Sequence, residues 1–329
     1  MERKAIFIPH KSMKSISLAV LLMLSVPAIA QTFDTYYDSH WKATDASNAS
    51  FYSRLQKTDS GWHRKDYFVH GGSLQMDGYF ADSACKVKSG PFVYFFPNKN
   101  VDAFGRYLNN KKQGMWLQFY SNGMMMDSTV YESGNPIGGS MGWHRNGVTS
   151  DSSYWNPDGS GVQVDWFSNG NPSFAGRYGP GMKQQGKWQY FHSNGKLSSI
   201  ELYDQGVLVD KNYFDEDGNP VTDTTNNDQA ASFPGGTDAW SKYIYAHAYF
   251  PDQYKITNAE QVTVEVTAMI DESGNVVDVE ISLPFHPDFD KIALKAFKGA
   301  PKWIPARKHN RAVTQYIRQA MTFHNAEEN

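Results

Sequence analysis

Phe119-Tyr120-Ser121-Asn122-Gly123 decides how this chain is read, because it returns as Trp143-His144-Arg145-Asn146-Gly147, Trp166-Phe167-Ser168-Asn169-Gly170 and Phe191-His192-Ser193-Asn194-Gly195. A looser copy is Phe214-Asp215-Glu216-Asp217-Gly218, and weaker ones stand upstream at Phe68-Val69-His70-Gly71 and Phe95-Phe96-Pro97-Asn98-Lys99. Trp155-Asn156-Pro157-Asp158-Gly159 falls at a half period. The glycines recur about every 24 residues, a period of stacked supersecondary units. A longer match fixes the register. Gly105-Arg106-Tyr107, Gln113-Gly114-Met115-Trp116 and Ser121-Asn122-Gly123 reappear as Gly176-Arg177-Tyr178, Gln185-Gly186-Lys187-Trp188 and Ser193-Asn194-Gly195. Asn-Gly and Asp-Gly accept the positive φ angles of a type I′ turn, so each copy reads as one β-hairpin with aromatics stacked along the array. A lone hairpin is marginal in water, and repetition lets each bury its face on its neighbours.

The rest of the composition agrees with that reading. With 40% apolar and 20% charged residues the 329-residue chain is an ordinary folded one, long enough for two domains. A formal charge of -3 offers no general attraction for polyanions, so nucleic acid is not an expected partner. Lys11 and Lys14 precede an apolar run from Ile16 to Pro27, and Ala28-Ile29-Ala30 supplies the small residues a signal peptidase reads. Residues 1–30 are therefore expected to be an export signal with a mature start at Gln31. Retention of the run as a membrane anchor is the alternative. Cys85 is the only cysteine, so no intramolecular disulfide is available.

Beyond Val221 the rhythm stops. Residues 221–232 include Thr222-Asp223-Thr224-Thr225-Asn226-Asn227-Asp228-Gln229 and read as a linker. Gly236 or Thr237 then caps a helix that places Trp240, Tyr243, Ile244 and His247 on one face. Next the period becomes two: Val262, Val264, Val266, Ala268 and Ile270 alternate with polar residues, and after Asp271-Glu272-Ser273-Gly274-Asn275 come Val277, Val279, Ile281 and Leu283. Phe289, Ile292, Ala293, Ala296 and Phe297 have the spacing of a helix laid on that hairpin, and Pro301 ends it. A strand from Val313 to Phe323 completes the order helix, strand, strand, helix, strand.

Two resemblances follow from these residues. The pattern Gly114, Trp116, Phe119, Tyr120, Gly123, repeated as Gly186, Trp188, Phe191, Gly195, resembles the MORN repeat, whose arrays act as scaffolds or docking surfaces. The tail resembles the TonB C-terminal domain. The match runs from Phe233-Pro234-Gly235-Gly236 through Tyr249-Phe250-Pro251, Ile270-Asp271 with Gly274-Asn275-Val276, Asp290 to Phe297, and Pro301-Lys302-Trp303-Ile304-Pro305-Ala306 to Met321-Thr322-Phe323. In that family a peptide segment of an outer-membrane transporter adds as a strand beside the last strand. The resemblance therefore implies peptide contacts at Val313, Thr314, Gln315, Tyr316, Ile317 and Arg318. This chain departs from the family at Phe250, which interrupts the usual Tyr-Pro step, and at His309-Asn310-Arg311, which replaces a Gly-containing turn.

The expected fold class is mainly β plus α+β: an N-terminal array of antiparallel MORN-like hairpins and a C-terminal TonB-like domain with helices packed on an antiparallel sheet. The expected divisions are a lead-in at 31–60, the array at 61–220, the linker and the domain at 233–329. Strand addition needs only a free main-chain edge and side-chain pockets, with no catalytic residue, metal or cofactor. The expected function is non-enzymatic capture of a protein or peptide in the periplasm or cell envelope, and the alternative is an inner-membrane-anchored energy transducer for outer-membrane transport. Lys291 to Arg318 holds eight Lys or Arg and no Asp or Glu, a surface suited to an acidic peptide. Gly138-Gly139-Ser140-Met141-Gly142 matches a nucleophile elbow formally, but a further hairpin follows it where that motif needs a helix. Asp215-Glu216-Asp217-Gly218-Asn219 lacks the later carboxylate of a calcium loop, and the histidines show no metal-ligand spacing.

Overall fold

The computed structural model describes residues 33–256 and 261–324, so the expected export signal lies outside the described residues. The first strands are β1 (Phe33–Tyr37), β2 (Phe51–Thr58), β3 (Gly61–Phe68), β4 (Leu74–Phe80), β5 (Lys88–Phe95) and β6 (Val101–Leu108). There follow β7 (Lys111–Phe119), β8 (Met125–Glu132), β9 (Asn135–Pro136), β10 (Gly138–Trp143), β11 (Thr149–Trp155) and β12 (Gly161–Trp166). The last of the array are β13 (Pro172–Gly179), β14 (Lys183–Phe191), β15 (Leu197–Asp204), β16 (Val207–Phe214) and β17 (Pro220–Val221). All belong to one 17-stranded sheet. Strands adjacent in the chain pair antiparallel except β9 and β10, which both pair with β8 instead of with each other.

The recurring Asn-Gly turns differ from the type I′ turns expected. Gly123, Gly147, Gly170 and Gly195 lie at φ 84–85°, but the asparagines before them do not adopt positive φ. Gly123 N donates to Tyr120 O (2.8 Å) and Tyr120 N to Met124 O (2.8 Å), which is a type I turn closed by a left-handed glycine bulge. The asparagine side chain gives a physical reason for this geometry. Its Oδ1 accepts the amide two residues on, as from Met124 N at 3.0 Å. Its Nδ2 crosses to the next turn: Asn98 to Ser121 O, Asn146 to Ser168 O, Asn169 to Ser193 O and Asn194 to Glu216 O, each at 2.8 Å. Type I′ turns do occur, at the opposite end of the strands. There Asn109-Asn110, Ser133-Gly134 and Gln205-Gly206 have positive φ at both positions.

The repeated Gly-Arg-Tyr and Gly-x-Trp segments explain one another. A Cβ on Gly105 or Gly176 would meet the indole of Trp116 or Trp188 at 2.3 and 2.2 Å, so each glycine leaves a bare strip of strand on which a ring lies. Trp116 Nε1 donates to Arg106 O and Trp188 Nε1 to Arg177 O, both at 3.1 Å, which satisfies the buried indole. Tyr107 and Tyr178 then stand edge-on to those indoles at 4.8 and 4.9 Å.

The tail contains α1 (Gly236–His247), β18 (Gln261–Ile270), β19 (Val276–Leu283), α2 (Pro287–Lys298), β20 (Ala306–Lys308), β21 (Arg311–Val313) and β22 (Gln315–His324). Its sheet runs β19-β18-β22. Trp240 and Ile244 of α1, with Phe289, Ile292, Ala293, Ala296 and Phe297 of α2, pack on Val264, Val266, Ala268, Ile270, Met321 and Phe323. Each fully buried large aliphatic or aromatic side chain contributes about 1.5–3 kcal/mol relative to exposure. His286 caps α2 by accepting from Asp288 N, with Pro287 in the first turn.

Two expected runs are broken. Asp278 adopts φ 50° within β19, and the pairing of β18 with β19 slips there, so Val276, Val279 and Ile281 meet the tail core instead of Val277. Leu283 packs with Phe51 and Phe68 of the array. The strand expected from Val313 to Phe323 divides at Thr314, because Val313 pairs with Ala306 in a separate hairpin.

The array and tail belong to one compact unit, Gln31–Asn329. The hairpin β20–β21 turns through His309 and Asn310 at φ 53° and 60°, and its tip enters the array. His309 stacks on Tyr190 with centroids 3.7 Å apart and planes 5° off parallel. Its Nδ1 lies 3.0 Å from both oxygens of Glu201, which is 2% exposed. Asn310 Nδ2 donates to Phe214 O (2.9 Å), and Arg311 Nη1 donates to Ser173 O (2.7 Å), Ser173 Oγ (2.9 Å) and Phe191 O (2.9 Å). The segment before α1 is also pinned, with Gln229 bridging Arg307 and Ser232 bridging Ile304.

Candidate peptide-docking edge

β18 occupies the middle of the tail sheet, pairing with β19 along one edge and β22 along the other, whereas β22 pairs only with β18, in register from Ile270↔Gln315 to Gln261↔His324. Among the described residues, the only further hydrogen bond to the β22 backbone is from Gln319 Nε2 to Ala320 O (2.8 Å). The β19 side is engaged differently. Arg145 and Ser121, both in array turns, bond Glu280, and Arg145 Nε lies 3.1 Å from Asp278, whose left-handed backbone belongs to the β19 irregularity.

The alternation of β22 fixes it while leaving its outer side available. Ile317 packs on the core, Gln319 Oε1 accepts from Trp240 Nε1 (3.1 Å), and Met321 and Phe323 are fully buried. On the other face Tyr316 is 64% exposed and Arg318 is held across β18 by two bonds to Glu265. Those bonds raise the Arg318 pKa and spend its charge locally. Edge strands of soluble proteins are commonly guarded by such charged side chains. Of the six sequence-expected positions, Gln315, Tyr316, Ile317 and Arg318 are on this edge, Thr314 joins the strands, and Val313 belongs to β21.

Two clefts meet at Val313 and Thr314. One, of about 740 Å³, is shared by Tyr178 and Gln184 of the array with Arg307, Lys308 and Gln315. The other, of about 680 Å³, borders Tyr316 and contains Asp151 and Asp165. Those two carboxylates are direct cross-strand partners. Burial foremost, with the Asp151 charge adding to it, pushes Asp165 up to about 7. Sequence reasoning missed the array's part in both clefts. Its one available signal was His309-Asn310, a pair tolerant of left-handed backbone in a turn without glycine.

The motifs weighed for chemistry have framework roles. Ser140 Oγ shares a 2.7 Å hydrogen bond with Ser153 Oγ across β10 and β11. Asp215 accepts Asn219 N and Asp217 N within its turn. His144 and His192 bond the carbonyls of Trp166 and Phe214 at 2.8 and 3.0 Å. Among the described residues no three His, Cys, Asp or Glu side chains are grouped to hold a metal, and no helix is long and apolar enough to cross a membrane.

A helix-backed three-stranded sheet whose β22 edge carries no further strand defines a small α+β domain. Residues 246–324 match the family described as Gram-negative bacterial TonB protein C-terminal, a cell-envelope family that is not enzymatic. The match does not extend to the array, whose hairpins are compatible with the MORN-like reading. The search of curated proteins found no match.

Proposed function

We propose that this chain is a non-enzymatic adaptor of the cell envelope that takes up a peptide by strand addition along the outer side of β22. The observation that carries the reading is the unpaired edge from Gln315 to Arg318, held rigid by the buried side chains of Met321 and Phe323. Main-chain hydrogen bonds supply affinity in such complexes, and pockets for alternate side chains supply selectivity. A segment of an outer-membrane transporter is the kind of partner the tail's family suggests. The fastening of the tail to the array supports an adaptor over a transducer, which would need a long extended spacer between anchor and domain.

A random peptide library displayed on phage and selected on the full chain supplies guests without assuming a partner. Hydrogen exchange then locates them. Slowed amide exchange along β22 is the expected result, and enrichment of no peptide, or of peptides that leave β22 unchanged, refutes the proposal.

A further inference from the structure

Arg311 is only 5% exposed, and among the described residues no carboxylate is bonded to it, although the charges of Asp165, Glu272 and Glu201 act on it from farther off. Its Nη1 is satisfied by the neutral acceptors Ser173 and Phe191, and its Nε is buried with no partner at all. Arg307 and Lys308, on the strand paired with β21, also lack an ion pair among the described residues; Arg307 Nη2 donates to Asn310 O at 3.2 Å. All three line the 740 Å³ cleft beside Gln315, where Asp228 is the sole carboxylate and already accepts His309 N. A cation without an ion pair, as Arg307 and Lys308 are, gains charge-assisted hydrogen bonds from an arriving carboxylate. The cleft on the Tyr316 side also takes in Arg311 and Arg145, but carboxylates outnumber them there, with Asp151 and Asp165 side by side and Asp271, Glu272 and Asp278 nearby.

We propose that the cleft between Tyr178 and the Arg307, Lys308 and Arg311 group is the second half of the docking site, and that it receives acidic side chains of the guest chain. The proposal rests on the strand-addition reading and deepens it. A guest strand on β22 continues past Gln315 into this cleft, with its acidic residues against the three cations and its backbone over Tyr178. The array thereby becomes a wall of the binding site, and the paired aspartates turn the same acidic residues away from the Tyr316 side. Charge thus sets which end of the guest lies at Gln315.

The test uses the phage-selected peptides, made synthetically in acidic form and with Asp and Glu replaced by Asn and Gln. Each is titrated against the full chain, the Arg307→Gln/Lys308→Gln double variant and a Lys295→Gln control on α2. The expected result is enrichment of peptides with acidic residues toward one end, and about a tenfold loss of affinity on neutralising either partner. Salt dependence becomes shallower in the double variant, and the control binds as the unaltered chain does. Peptides that protect β22 but show no acidic bias, or bind the double variant equally well, overturn this inference and leave strand addition standing. Peptides that bind without protecting β22 overturn both.

Discussion

Replacing His309 by Ala tests whether the tip of β20–β21 fastens the tail to the array. The substitution removes a ring stacked on Tyr190 at 3.7 Å, a contact class worth about 0.5–1.5 kcal/mol beyond area burial. It also removes a hydrogen bond to the Glu201 carboxylate, worth about 1.5–3 kcal/mol. Glu201 is 2% exposed and keeps as side-chain donors Ser199 Oγ (2.9 Å) and Tyr203 OH (2.6 Å). The expected loss is about 2–4 kcal/mol. Urea unfolding followed by tryptophan fluorescence measures it, and a cycle with Glu201→Gln isolates the coupling. A loss under about 0.5 kcal/mol, or additivity in the cycle, refutes the fastening. The pH dependence has a definite sign. Burial pushes the Glu201 carboxyl up, but hydrogen bonds from His309 and Tyr203 outweigh it and leave the group below its ordinary value. Its contribution is therefore present above the unfolded value of 4.5 and is lost as pH falls through the lower folded one.

Two further outcomes follow from the array. Gly176→Ala places a Cβ 2.2 Å from the Trp188 ring and is expected to cost about 1–3 kcal/mol or more, whereas Gly139→Ala, with open space around it, should shift the melting temperature little. Asp165 is raised from 3.8 to about 7, so its folded-state preference for the proton is fully present below 3.8 and is lost as pH rises through about 7. Thermal unfolding should accordingly show this contribution declining between roughly pH 4 and 7 and levelling off above, and Asp165→Asn should flatten that slope.

The hairpin array, both tail helices and the order of the tail elements were legible because each rests on local periodicity. Phe289, Ile292, Ala293, Ala296 and Phe297 are the five buried residues of α2 that the helical spacing marks. The turn type was misread for a local reason with a non-local cause: Asn-Gly suits type I′, but here the asparagine amide is committed to a neighbouring turn 22–24 residues away. The slip at Asp278 was hidden because Val277, Val279 and Ile281 alternate through it, and the break at Thr314 because Val313, Thr314, Tyr316 and Ile317 all favour extended backbone. Least legible was the site itself. The free edge follows from strand order, which the resemblance supplied, whereas Arg311 near Phe167 and Tyr190 depends on where a hairpin tip lands.

The asparagine bonds between turns also bear on how such a molecule changes length. Because Nδ2 of Asn146, Asn169 and Asn194 reaches one unit forward, inserting or losing a whole unit there leaves these crossing bonds with equivalent acceptors, while a single added strand would bring the wrong kind of turn alongside. The socket for the hairpin tip draws on Phe167, Ser173, Tyr190, Phe191, Ser198, Glu201 and Phe214. Duplication among the earlier units could therefore lengthen the array by fixed increments while that socket is inherited intact.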